Sequence, residues 1–482
     1  MNAVKCIVKK IISKLFSQLL MEIEQVKDIQ KEILNQNIEL DGNIKELKNN
    51  NIEELNYKSE INNKIDNLNN YIIKIEQENT RLKNYIANIS LTLDRKKSIR
   101  KIRVAFLIHN VESWYTMQPI YESMLEDSVF DPILISVPRN YSHNGIFKDK
   151  SKEYLRRKYN KVISFESIEK IPNDIMFILN PDIIFRQSPW EDDIPDVFRT
   201  ENIKQFKICY IPYGIITIPV DELHFNQNLH KYAWRLYCES KFHKECYRKH
   251  NLILDSNAVI SGYTKFEQMN KLLNNDSEEL SWPIKRKTKP SLRILWAPHH
   301  SLEGWFGFST FHIIYEKMYD FALNNNDVEI VLRPHPALTD VMNNSGLIKK
   351  DDLEEYYKKF NDLDNCYLDF NEEYINLFKY SDVLITDGVS FLFEYIITGK
   401  PIIHTDSKKH IGFNEFGKQF ESSWYKGYSF NDLKQYIEMI KNNDDPLLEK
   451  RLELKEKLFD FSNENKPSKI IINDIKNSLL NE

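Results

Sequence analysis

Beyond residue 100 the sequence alternates short β-branched runs with amphipathic stretches, and few folds accept that alternation. Ile102–Ile108, Pro132–Val137, Ile175–Leu179, Lys207–Ile211 and Ala258–Ile260 read as strands, each followed by residues of helical period. Strands interleaved with helices build parallel sheets, because a parallel return needs a crossover long enough to hold a helix. A polar stretch with Pro283 and Pro290 interrupts the series, which resumes with Leu292–Trp296, Glu329–Leu332, Cys366–Leu368, Val383–Ile385 and Ile402–His404. The expectation is an α/β protein with two Rossmann-like domains, residues 101–285 and 290–482. Open parallel sheets bind ligands at the carboxyl ends of their strands, so chemistry is sought just after each strand.

At 482 residues the chain exceeds one ordinary core, in keeping with several domains. Its 66 Lys+Arg against 71 Asp+Glu, a net charge of -5, argue against a protein that coats nucleic acid. Five scattered cysteines, never in a CxxC pair, support neither a disulfide framework nor a zinc site, and a reducing cytoplasm is the expectation. Neither GxGxxG nor GxxxxGK[ST] occurs, so a phosphate site must be built otherwise. The carboxylate pair of Asp362-Leu363-Asp364 precedes a strand and reads as a solvated loop rather than a metal site.

The first hundred residues are a different object. In residues 1–20, Ile7, Val8, Ile11, Ile12, Leu15, Phe16, Leu19 and Leu20 recur at helical spacing among Lys5, Lys9, Lys10 and Lys14. Such a basic amphipathic helix suits the interface of an anionic membrane; the bland alternative is the start of the helix that follows. Residues 21–95 carry heptads, weak at first and stronger from Ile61, with Ile65, Ile72, Asn79, Ile86 and Leu93 at a, and Ile61, Leu68, Ile75, Leu82 and Ile89 at d. β-Branched a residues with one Asn favour a parallel homodimeric coiled coil, against a helix that folds back on the chain. The basic run from Arg95 to Arg103 reads as a solvated linker.

Three strand ends in the second half carry the chemistry: Ala297-Pro298-His299-His300, Arg333-Pro334-His335-Pro336, and Thr386-Asp387-Gly388-Val389-Ser390. An imidazole can take a proton from an attacking hydroxyl, and an arginine fork can grip a phosphate. The bland reading of any one histidine is a hydrogen-bonded turn residue, but three aligned strand ends favour a site. After Asp387 a turn feeds a helix, where backbone N–H groups and Ser390 would face a phosphate. Glu394, one turn further along, would face ribose hydroxyls. The structural alternative is an N-cap at Asp387 or Ser390 with a solvated Glu394.

From about Leu292 to Tyr428 the sequence resembles the CDP-glycerol glycerophosphotransferase family, through Ala297-Pro298, Arg333-Pro334-His335-Pro336, Asp387 to Glu394, and Gly399-Lys400-Pro401. Two family positions differ: a Tyr-Ser pair is Gly388-Val389 and an Asp is Glu394. The resemblance implies a GT-B fold with an acceptor side in residues 101–285 and a nucleotide-bound donor in residues 290–482. The implied activity moves glycerol phosphate or ribitol phosphate from a CDP-linked donor to a hydroxyl of a teichoic-acid-like polymer or surface glycan. Catalysis would fall to His335, His299 or His300, and donor binding to Arg333, Thr386, Asp387, Ser390, Glu394 and Lys400. No bound metal or cofactor is implied, and the place of action would be the inner face of the cell membrane. Rival readings are a GT-B glycosyltransferase using a nucleotide sugar and a non-catalytic coiled-coil membrane scaffold.

Overall fold

The computed structural model describes residues 101–141, 145–250, 257–274, 281–304, 306–371, 373–458 and 466–480, together with helical residues 61–73 and the single positions Lys31, Asn35 and Ser59. The chain divides into two units, Met1–Leu91 and Thr92–Glu482. In the first, helix 61–73 holds Ile61, Ile65 and Ile72 half-buried, with Leu68 36% exposed. These are the first four positions of the strong heptad seam. The basic helix expected in residues 1–20 and the rest of the coiled coil lie outside the described residues. Among the described residues no helix is long and apolar enough to cross a membrane.

The second unit contains two parallel sheets. The first is built from β1 (Ile102–Ile108), β2 (Phe130–Ser136), β3 (Val162–Ile163), β4 (Ile183–Arg186), β5 (Lys207–Tyr210), β6 (Arg235–Cys238) and β7 (Ala258–Ile260), in the order β3-β2-β1-β4-β5-β6-β7. The second comprises β8 (Leu292–Ala297), β9 (Val328–Leu332), β10 (Cys366–Leu368), β11 (Val383–Thr386), β12 (Ile402–Thr405) and β13 (Tyr425–Gly427), in the order β10-β9-β8-β11-β12-β13. Central strands such as β8 and β9 are apolar on both faces because helices cover both. Even the one charged residue of β9, Glu329, is buried and reaches the Arg293 guanidinium at 3.3 Å.

Ile175–Leu179, expected as a strand, is a short helix that ends on Asn180 in the left-handed region (φ 46°). The strand of this region is β4, a few residues on. A five-residue apolar run has too little period to separate helix from strand, and tertiary pairing with β1 decides for the later run. β3, β6 and β13 are absent from the sequence reading because each is short or mixed with charge.

The sheets share an interior in which Tyr115, Tyr263, Phe266 and Met269 pack with Leu295, Tyr374, Leu392 and Tyr395. The terminal helix Pro467–Leu480 returns to the first sheet, where Ile471, Ile472 and Ile475 join the core of β1 and β2. Asp474 on that helix binds Arg235 Nε at 2.9 Å and accepts from the Tyr237 hydroxyl at 3.0 Å.

Candidate active site

The strand order sets β9, β8 and β11 side by side, with Leu332 opposite Trp296 and Ala297 opposite Thr386. The three motif loops therefore leave the same edge as neighbours. Arg333 N–H donates to Trp296 O at 2.8 Å and His335 N–H to Pro298 O at 3.0 Å, so the first two loops are tied together. His299 N–H donates to the Asp387 carboxylate at 2.5 Å, which ties in the third.

Three imidazoles gather there. The rings of His300 and His335 stack at 3.9 Å between centroids with a 25° interplanar angle, and His299 lies 4.4 Å from His300 and 5.3 Å from His335. One nitrogen from each ring falls within 4.8 Å of the others, a spacing that can also hold a metal ion. Burial favours the neutral rings: it pushes His300 down to about 4, and burial, His300 and Arg333 together push His335 down to about 3. His299 is lowered too, by burial first and then by its two neighbours.

Thr386 and Asp387 position this cluster. Thr386 Oγ1 donates to Ala297 O at 2.5 Å and accepts from Gly388 N–H at 2.8 Å. A Cβ at Gly388 would meet that hydroxyl at 3.1 Å, so the glycine suits the tight turn. The buried Asp387 carboxylate also accepts from Thr310 N–H at 2.6 Å and Thr310 Oγ1 at 2.7 Å. Burial raises its pKa to about 6 against these hydrogen bonds.

The remaining motif residues separate. Arg333 beside His335 is held by Asp369 and by Asn371 O at 2.8 Å, with its guanidinium 5.1 Å from the Tyr374 ring centre. These bonds use Nη1, one nitrogen of a fork with five N–H donors. Ser390 is exposed on the first turn of the helix Val389–Glu394, as a phosphate contact requires. Glu394 departs from the expectation. It is buried, with one oxygen 2.7 Å from Lys265 Nζ and the other accepting from the Tyr374 hydroxyl at 2.6 Å. Its carboxylate is consumed by the joint between the sheets rather than offered to a ribose. Lys400 departs as well: its ammonium donates to the carbonyls of Phe378 (3.2 Å), Lys379 (2.6 Å) and Ser381 (2.6 Å). It thus closes the end of helix Ile375–Tyr380, and it precedes β12, at the opposite edge of the sheet from the histidines.

Several positioning residues carry no mark in the sequence. Ser301, Thr310 and Asp369 hold the motif residues, yet each is an ordinary polar residue in a loop. At the matching edge of the first sheet, His109 after β1 bonds Ser188 Oγ at 3.1 Å, and the Gln187 side chain accepts from the backbone N–H of His109 at 2.8 Å and of Asn110 at 3.1 Å. The strand-end position of His109 was the available signal.

Two facing parallel sheets, with polar loops gathered at the carboxyl ends of the second, define a protein of GT-B architecture. The profile of the CDP-glycerol:poly(glycerophosphate) glycerophosphotransferase family matches residues 220–476, and the chain belongs to that family. The minor teichoic acid biosynthesis protein GgaB of Bacillus subtilis (strain 168) is 22% identical over 366 residues, covering 70% of this chain and 37% of GgaB. The chain thus matches well under half of that relative's length. The wall teichoic acid polymerase TagF shares the fold at a TM-score of 0.52 and 14% identity, over 83% of this chain and 99% of the other. The UDP-GlcNAc 2-epimerase of Neisseria meningitidis does so at 0.51 and 12%, over 77% and 99%.

Proposed function

We propose that the protein transfers a polyol phosphate, glycerol phosphate or ribitol phosphate, from a CDP-linked donor to a hydroxyl of a teichoic-acid-like polymer or surface glycan. The observation that supports it is the imidazole cluster beside Arg333 at three adjacent strand ends, within a glycerophosphotransferase family. The acceptor hydroxyl oxygen attacks the β-phosphorus of the donor. The bond from that phosphorus to the bridging oxygen breaks, CMP leaves with the bridging oxygen, and the hydroxyl proton passes to an imidazole of the cluster. Arg333, Ser390 and the N–H groups at the start of helix Val389–Glu394 stabilise charge on the diphosphate.

Purified protein incubated separately with CDP-glycerol, CDP-ribitol and common nucleotide sugars tests this. Release of CMP with either CDP-polyol supports the reading. Release of a nucleoside diphosphate from a nucleotide sugar replaces it with the glycosyltransferase, and no release from any donor favours the scaffold.

The same reading places the protein on the inner face of the cell membrane, through residues 1–20, as a parallel dimer through residues 61–93. Four lysines and eight apolar residues supply the membrane attraction. A chain starting at Lys101 should stay in solution when anionic vesicles are sedimented and should scatter light as a monomer. Co-sedimentation would remove the anchor, and a persistent dimer would move the interface.

A further inference from the structure

The three imidazoles are not equivalent, because the backbone fixes which nitrogen carries the proton in two of them. Ala337 N–H donates to His335 Nδ1 at 3.1 Å. Ser301 N–H donates to His299 Nδ1 at 3.2 Å, and Ser301 Oγ lies 2.9 Å from the same nitrogen. That hydroxyl oxygen accepts from Phe308 N–H at 3.2 Å, which leaves its hydrogen for His299. A backbone N–H only donates, so the nitrogen facing it must present a lone pair. The one proton of the neutral ring is then on Nε2. Turning either ring over would set a C–H against that N–H and forfeit the bond.

We infer that His299 and His335 are held as neutral Nε2–H tautomers and act as a pair of hydrogen-bond donors to oxyanions, neither as proton acceptors nor as metal ligands. The identity of the anion, the diphosphate of the donor, rests on the transferase reading; the tautomers do not. One nitrogen of each ring falls within 4.8 Å of one on the other, so the two rings are close enough to serve one phosphate group. A ring that binds a metal through Nε2 hands its Nδ1 proton to a carbonyl or carboxylate, whereas here Nδ1 meets a donor in both rings. Protonation would likewise set a second N–H against the backbone N–H, so the lowered pKa of both rings agrees with the geometry. Two neutral donors stabilise growing negative charge on phosphate without competing for the acceptor's proton, which passes to another group; His300 is the remaining imidazole of the cluster.

Two measurements test the assignment. Long-range proton–nitrogen NMR on full-length protein labelled with ¹⁵N-histidine reads each tautomer, signals being assigned by their loss in single variants. The Nε2–H pattern is expected for His299 and His335 near neutral pH; an Nδ1–H pattern or an imidazolium at either position overturns the inference. In turnover, Gln places an amide N–H close to the Nε2 position, so His335→Gln should keep about a tenth of wild-type activity or more, while His335→Ala and His335→Asn lose about a hundredfold. The same order is expected at His299. A Gln variant as inactive as Ala, with an unchanged melting midpoint, makes the residue a base. Loss of wild-type activity in EDTA with recovery on zinc makes it a metal ligand. A wild-type protein inactive with every donor fails the transferase reading instead, and the NMR pattern still decides the tautomers.

Discussion

Two regions spelled by one run of motifs fare differently in the fold. At the strand-end loops after β8 and β9, the three imidazoles lean on one another and remain half-buried at the edge of the sheet. At the joint between the sheets, Glu394 is enclosed with Lys265 and Tyr374, and both of its oxygens are used. An ionisable side chain serves a ligand when the fold leaves its bonding capacity open, and serves the fold when other side chains have filled it. Lys400 teaches the same lesson: the residue is basic, yet three carbonyls hold it at the far edge of its sheet.

The largest expected effect breaks the joint. Glu394→Ala strands the Lys265 ammonium in a buried site and should cost about 3–5 kcal/mol of stability, the scale for removing one partner of a buried pair. The Lys265→Met/Glu394→Met double variant should recover most of that loss, because it leaves no unpaired charge. Urea unfolding of the three proteins measures it; a Glu394→Ala variant as stable as wild type that binds donor weakly would return the residue to the ribose.

Next in size is the cluster. His300→Ala should lower turnover about a hundredfold with little change in melting midpoint, while His109→Ala, which empties a bonded and buried site on the first sheet, should shift melting more than turnover. Kinetics and melting curves of the pair separate them, and the opposite pattern would exchange the roles of the two edges.

A smaller effect follows from pH. Folded His300 and His335 stay neutral down to about 4 and about 3, whereas the unfolded chain binds protons at these rings below their ordinary value of 6.5. The unfolded state then holds more protons, so this contribution is complete above pH 6.5 and is lost as pH falls from 6.5 toward 4. Asp387, raised to about 6 from 3.8, works in the opposite sense between pH about 6 and 3.8. Urea midpoints should fall between pH about 7.5 and about 4.5, and His300→Gln should fall less steeply than wild type. Equal slopes would mean that the ring is not kept neutral by the fold.

The smallest expected effect is at Ser390. Its exposed hydroxyl supplies one contact among several, so Ser390→Ala should raise KM within about threefold and leave stability unchanged. A collapse of turnover would make it a principal phosphate ligand.

Residue pattern alone is enough for the parallel α/β class, because uninterrupted apolar strands between amphipathic segments have few other uses, and most strands lie within a residue or two of their expected places. It also marked the three strand ends, since strand order in such sheets brings their carboxyl ends to one edge. Local pattern could not tell the helix Ile175–Leu179 from a strand, because a run that short carries almost no period. Nor could it foretell that Lys265, 129 residues from Glu394, would close on it, or that the terminal helix would join the first sheet. The Nε2 tautomers of His299 and His335 rest on backbone N–H groups whose directions exist only once the loops are folded. Residue type sets what a side chain is able to bond, and the tertiary structure decides which of those bonds the protein itself has already taken.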